Sequence, residues 1–152
     1  MNVVKSIASL GLVAFLAACG SADRYAVDMP PVTEQVSIRF NSVEVRDVSL
    51  PSYAAADEIH VRKSNGTLVS SSDELWADSP ERAVALELSE NLSRLTNRRI
   101  ASEPWPFEAY PDARLELRFS ELLAAETGQF RASGQYFVAV STGGSERSGL
   151  FD

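Results

Sequence analysis

SPERAVALELSENLSRLTN, Ser79 to Asn97, is the stretch on which the fold turns. Ser79 can cap a helix through its hydroxyl, and Pro80 fits a first turn whose N–H groups lack intrahelical partners. Glu81 suits the positive end of the helix dipole. Ala85, Leu88, Leu92 and Leu95 then recur at helical spacing, with Val84 beside the stripe. Asn97 and Arg98-Arg99 close the C-terminal end. The spacing predicts a helix of about four and a half turns, laid on a sheet. Leu86 falls opposite the stripe, among Ala83, Glu87 and Glu90. It is either an isolated exposed leucine, as many are, or a contact with another subunit.

Strand signals flank this helix on both sides. Downstream, Ile100 marks a short strand, and "EPWPFEAYP" is an aromatic loop with Trp105 held between two prolines. In "ARLELRFSELLAAETGQFRASGQYFVAVS", two strands surround Glu126-Thr127-Gly128. Leu115, Leu117, Phe119 and Leu122 alternate in the first, Phe130, Tyr136, Val138 and Val140 in the second, and Gly134 reads as a bulge that shifts the phase. Upstream, Tyr25, Val27 and Met29 alternate until Pro30-Pro31 stops them. Val36, Ile38 and Phe40 form another alternating run, and Val43, Val45 and Val48 follow after a bulge or tight bend at Asn41-Ser42. Asn65-Gly66 predicts a type I′ hairpin between sparsely apolar strands, hence a partly exposed edge. Strands, one long helix and more strands in that order predict a single α+β or α/β domain: a mixed sheet with one long helix packed on it.

The chain begins differently. Lys5 supplies one cation, and Ile7 to Ala18 is a twelve-residue run, apolar apart from Ser9 and Gly11, that ends in small residues. That layout is a secretory signal, too short to span a hydrocarbon core that needs ~20 residues. Leu16-Ala17-Ala18-Cys19 resembles the bacterial lipobox, in which the thiol takes a diacylglycerol, the chain is cut before the cysteine and the new amine is acylated. Cys19 is the only cysteine, so an internal disulfide is excluded. The alternative is a plain signal followed by a buried cysteine. The predicted organisation is a signal peptide at 1–18, a lipid-anchored tether at 19–24 and one domain at 25–152.

The whole chain carries 14 basic and 21 acidic residues, a net charge of −7. Losing Lys5 with the signal makes the mature protein more acidic still. Such a body is repelled by nucleic acid and by an anionic bilayer alike. No GxSxG, P-loop, HExxH or dinucleotide fingerprint occurs. His60 reads as an ordinary strand residue, and Glu81, Glu87 and Glu90 as a solvated helix face. The expectation is a non-catalytic protein without metal or cofactor.

Several stretches, in order, resemble the PqiC-like lipoproteins, the ABC-type transport auxiliary lipoprotein components. They are the lipobox, "RYAVD", "SVEVRDVSLPSYAAADEIHVR", "LWADSPERAVALELSENLSRL", "EPWPFEAYPDARLELRFSEL" and "GQFRASGQYFV". Within them stand Leu50-Pro51 with Tyr53, Trp76 ahead of the helix, Glu90-Asn91-Leu92 and Pro104-Trp105-Pro106. The resemblance implies an auxiliary subunit of an envelope lipid-transport system, anchored at the periplasmic face of the outer membrane. Its implied partners are an MCE-domain tunnel protein and an inner-membrane transporter component; phospholipid is the implied cargo, and a homo-oligomer is compatible with the role. Leu50, Pro51, Tyr53, Trp76, Leu86, Asn91 and Trp105 are the candidate partner-binding or family-motif residues, each alternatively a packing residue, and Cys19 is the lipidation site. Family members continue through a final strand and a C-terminal helix, whereas this chain stops at Asp152, with "RSGLFD" resembling the start of that strand. A truncated sequence is expected; otherwise the domain lacks a layer and exposes apolar surface. Two other readings compete with transport: a structural lipoprotein that stabilises an envelope complex without handling lipid, and a sensor or inhibitor of an envelope enzyme.

Overall fold

The helix forms where the pattern places it. In a computed structural model that describes residues 21–28, 30, 32–144 and 146–152, α1 runs Pro80–Thr96. Asn97 ends it in the left-handed conformation (φ 50°, ψ 41°), which asparagine tolerates better than most side chains. Its start departs from expectation. Ser79 occupies the N-cap position, but its hydroxyl donates to the Glu81 carboxylate at 2.9 Å instead of accepting a backbone N–H.

Among the described residues, nine strands, numbered in chain order, accompany α1: β1 (Asp23–Tyr25), β2 (Ser42–Val45), β3 (Val61–Arg62), β4 (Leu68–Val69), β5 (Glu74–Trp76), β6 (Arg99–Ser102), β7 (Ala113–Ala125), β8 (Phe130–Val140) and β9 (Arg147–Phe151). The main sheet is organised by β7, its longest strand. One edge of β7 carries β2 at its beginning and β3 at its end, both parallel. The other edge carries β8 and then β9, each antiparallel to its neighbour. Outside β2 lies β6, parallel to it, and outside β3 lies β4, antiparallel. A separate two-stranded sheet pairs β1 with β5. The α+β class with a mixed sheet therefore holds.

Register assigns the faces. Val43 pairs with Ile100 and Ala113, and Val45 with Leu115, so one face of the sheet collects these apolar side chains. α1 packs over β6 and β2, and Val43, Val45, Val48, Ala85 and Ala113 are buried. Fully burying a valine stabilises by ~1.5–3 kcal/mol, which makes this cluster the principal hold of helix on sheet. Of the helical stripe only Ala85 is fully enclosed; Leu88, Leu92 and Leu95 are half-buried. The apolar face continues onto β7, β8 and β9 through Leu117, Phe119, Tyr136 and Phe151, where the side chains are half-buried.

Four expectations are corrected. The run Val36–Phe40 is not a strand: it lies beside the helix end, and the Val36 N–H donates to the Leu95 carbonyl at 2.8 Å, one of the acceptors a helix terminus leaves open. The first strand covers Asp23–Tyr25 rather than Tyr25–Met29, and Met29 lies outside the described residues. The Asn65-Gly66 hairpin is not type I′. Only Gly66 has positive φ (86°), while Gly66 N–H bonds to the Lys63 carbonyl and Lys63 N–H to that of Thr67. That is a three-residue loop, a type I turn followed by a left-handed glycine. Asn65 serves it through its side chain, whose Oδ1 accepts from the Thr67 N–H and hydroxyl. Finally, the bulge near Gly134 belongs to the opposite strand, where pairing skips Ser120 between Phe119 and Glu121.

Candidate partner-binding surface

The short β1–β5 ribbon is held by several polar contacts. Asp23 N–H donates to the Asp73 carbonyl, Ala77 N–H to that of Tyr25 and the Arg24 guanidinium to that of Trp76. Parallel register then sets Tyr25 beside Trp76. On its other side, β5 meets the segment after the LPSY turn: Trp76 N–H donates to the Asp57 carbonyl, and Ile59 N–H to that of Glu74. The ribbon thus stands against the first turns of α1, and between them opens a groove of about 170 Å3 lined by Tyr25, Val27, Trp76, Ala83, Leu86 and Glu87 among others. Leu86 is 39% exposed and Tyr25 47%. Trp76 and Leu86, distant in the sequence, are brought together here. Tyr25 and Val27 read from the sequence only as strand residues and Glu87 only as a solvated helix position; nothing local marks Tyr25 for a site, because the β1–β5 pairing is what carries it to Trp76.

The remaining candidates lie elsewhere. Pro51 starts a turn in which its carbonyl accepts from the N–H groups of Ala54 and Ala55. Leu50, Pro51 and Tyr53 are half-buried, and the Tyr53 ring tilts toward His60 at 6.3 Å between centroids. Trp105 is half-buried within its own loop: Nε1 donates to the Ala109 carbonyl at 2.7 Å, and its ring meets Phe107 edge-on at 4.9 Å. Arg99 stacks over the other aromatic, Phe107, at 5.0 Å. Asn91 is buried in α1, donating to the Glu87 carbonyl at 2.9 Å while its Oδ1 has no partner. Cys19 lies outside the described residues.

Charges elsewhere are spent on the scaffold. Glu44 is buried on the sheet face opposite Val43 and Val45, and its carboxylate accepts from Arg114 Nε at 2.6 Å. At the far end of β7, Glu121 joins Arg62 at 2.6 Å and Arg131 at 3.6 Å. Glu126 sits at the adjoining hairpin end, its carboxyl held below the ordinary carboxylate range by hydrogen bonds from the Ser64 hydroxyl and N–H, with Lys63 contributing. Among the described residues, no group of three or more His, Cys, Asp or Glu side chains is placed to hold a metal ion. None of their helices is long and apolar enough to cross a membrane.

Two solved structures share this fold. A crystal structure of an uncharacterized protein matches with a TM-score of 0.65 and 17% identity, over 87% of this chain and 79% of that one. A Xanthomonas campestris protein of the DUF330 family matches with a TM-score of 0.56 and 15% identity, over 87% of this chain and 74% of its own. At these identities the likeness concerns fold alone. No curated protein matches significantly. The family described as ABC-type transport auxiliary lipoprotein component matches residues 25–151, nearly the whole described domain. The chain belongs to that family of auxiliary transport lipoproteins.

Proposed function

We propose that this chain is a lipid-anchored, non-catalytic subunit of an envelope lipid-transport system. In this reading it is fastened through Cys19 to the periplasmic face of the outer membrane and docks an MCE-type tunnel protein there so that phospholipid can pass. Family membership supports the auxiliary role. The observation that carries the anchoring geometry is the start of β1 at Asp23, four residues after Cys19. Such a tether spans at most roughly 14 Å, so an acylated Cys19 keeps the domain against the bilayer. Each buried methylene of the anchor adds ~0.8 kcal/mol, and two chains already hold a protein stably. The acidic body has no electrostatic attraction of its own to anionic lipid, which leaves the acyl chains to supply membrane affinity. Confinement to a surface raises the effective concentration of the subunit for its partner.

The test uses protein from a native host. Mass spectrometry should find an acylated N-terminal Cys19, and Cys19→Ser should abolish partition into the detergent phase. Gentle solubilisation should recover an MCE-domain protein with the wild type. A free thiol on a water-soluble species removes the anchor; acylation with only other partners recovered removes the tunnel-docking role.

A further inference from the structure

The groove between the β1–β5 ribbon and α1 has a chemistry of its own. Its walls are the apolar surfaces of Tyr25, Val27, Trp76, Ala83 and Leu86, and its volume of about 170 Å3 suits one large side chain, since a cavity of ~150 Å3 takes up a benzene ring. Its rim is acidic. Asp78 and Glu87 line it, and Asp23 and Glu74 stand side by side in the ribbon register two residues before Tyr25 and Trp76. Two cations answer them, and both are engaged: Arg82 pairs with Asp78, and Arg24 donates to the Trp76 carbonyl. Glu87 is half-buried and has no ion-pair partner among the described residues.

An apolar slot rimmed by surplus carboxylates selects its occupant. Lipid phosphate and other anions are repelled from it, and a second copy of this acidic chain meets the same repulsion. A cation placed beside a leucine or aromatic side chain satisfies both parts at once, which is how amphipathic segments occupy grooves. We propose that the groove is the docking site for a basic amphipathic segment of a partner protein, one apolar side chain entering between Tyr25, Trp76 and Leu86 and a lysine or arginine meeting Glu87. This assignment does not depend on an MCE protein being the partner.

The full chain in phosphatidylcholine nanodiscs, titrated with a labelled amphipathic peptide of leucines and lysines, tests it; empty nanodiscs supply the background. Saturable binding is expected, weakened about tenfold or more by Leu86→Asp, by Ala83→Arg, which fills the slot, and by Glu87→Lys. Glu146→Lys, the same charge change on the exposed turn before β9, should leave affinity within about twofold. Circular dichroism identifies any variant that fails to fold, and the other two then decide. Equal weakening by Glu146→Lys, equal binding of a leucine–glutamate peptide, or no loss in the folded groove variants overturns the proposal. So does sedimentation showing a wild-type dimer that Leu86→Asp dissociates, because the occupant is then a second copy.

Discussion

Phe119 and Phe151 meet edge to face across Gly134, their ring centroids 5.2 Å apart and their planes at 75°. Gly134 pairs with both, with Phe119 on β7 and Phe151 on β9. A Cβ at Gly134 would run into the Arg118 carbonyl oxygen and stand 2.9 Å from both the Phe119 Cα and the Phe151 ring. The carbonyl belongs to the sheet and cannot swing aside. Gly134→Ala should therefore destabilise by ~1–3 kcal/mol, the cost of overpacking, read as a lower denaturation midpoint at unchanged slope. Gly149→Ala is the control: the three atoms nearest its Cβ all belong to the Tyr136 side chain, which can shift where a sheet carbonyl cannot, so its cost should be smaller.

Why some of this was legible and some was not follows from range. The α1 boundaries, β6, the β7–β8 pair and the exposed β4 edge were readable because periodicity and turn residues act over a few neighbours. Val36–Phe40 alternates as a strand does, yet the Val36 N–H goes to the Leu95 carbonyl at the helix end and not to a strand, so pattern and structure part company there. The hairpin turn type depended on φ at Asn65, which the Asn-Gly pair does not determine alone. At the candidate surface, Trp76 and Leu86 were identifiable singly, but the groove exists only through the β1–β5 register. Gly134 was seen as irregular, and its reason lies on the neighbouring strands.

Glu44 and Arg114 form the most enclosed ion pair of the sheet, the carboxylate 9% and the guanidinium 41% exposed. Removing the arginine strands a buried charge, whereas neutralising the acid does not. Arg114→Ala should cost ~1–3 kcal/mol, reduced from fully buried cases because water reaches the guanidinium side. Glu44→Gln should cost less, and adding it to Arg114→Ala should recover part of the loss. A double-mutant cycle by chemical denaturation measures this; additive losses would dismiss the pair as a coupled unit.

Gly66 is held at φ 86° with nothing within 4 Å of its would-be Cβ. Any penalty there is purely conformational. Gly66→Ala should destabilise by about 1 kcal/mol, and Gly66→Asn by less, because asparagine tolerates the left-handed region. Thermal unfolding of both variants checks the ranking.

The Glu126 carboxyl is held below the ordinary carboxylate range because the Ser64 hydroxyl and N–H bind the charged form. A folded-state value lowered in this way contributes stability that is present above the unfolded value and lost as pH falls through the folded one. Ser64→Ala removes the hydroxyl bond and should move the Glu126 titration up toward the ordinary glutamate range, with the Ser64 N–H and Lys63 still holding it partly down. Side-chain NMR titration reads this directly, and an unmoved midpoint would refute the assignment to Ser64.

Asn91 differs from the other buried polar residues of α1. Ser89 and Thr96 turn their hydroxyls back to the carbonyls of Leu86 and Leu92, at 2.8 and 2.7 Å, and both are satisfied as donors. Asn91 donates to the Glu87 carbonyl but keeps an acceptor, Oδ1, without a donor. A buried acceptor in that state costs ~1–3 kcal/mol, and removing the amide relieves it while leaving only a small void. Alanine also propagates a helix better than asparagine, by several tenths of a kcal/mol. Asn91→Ala should therefore leave the isolated domain as stable as the wild type or stabilise it by up to ~1 kcal/mol, with the helical circular dichroism unchanged. A loss above about 2 kcal/mol would mean that Oδ1 is satisfied in solution and that Asn91 is a structural linchpin of the helix.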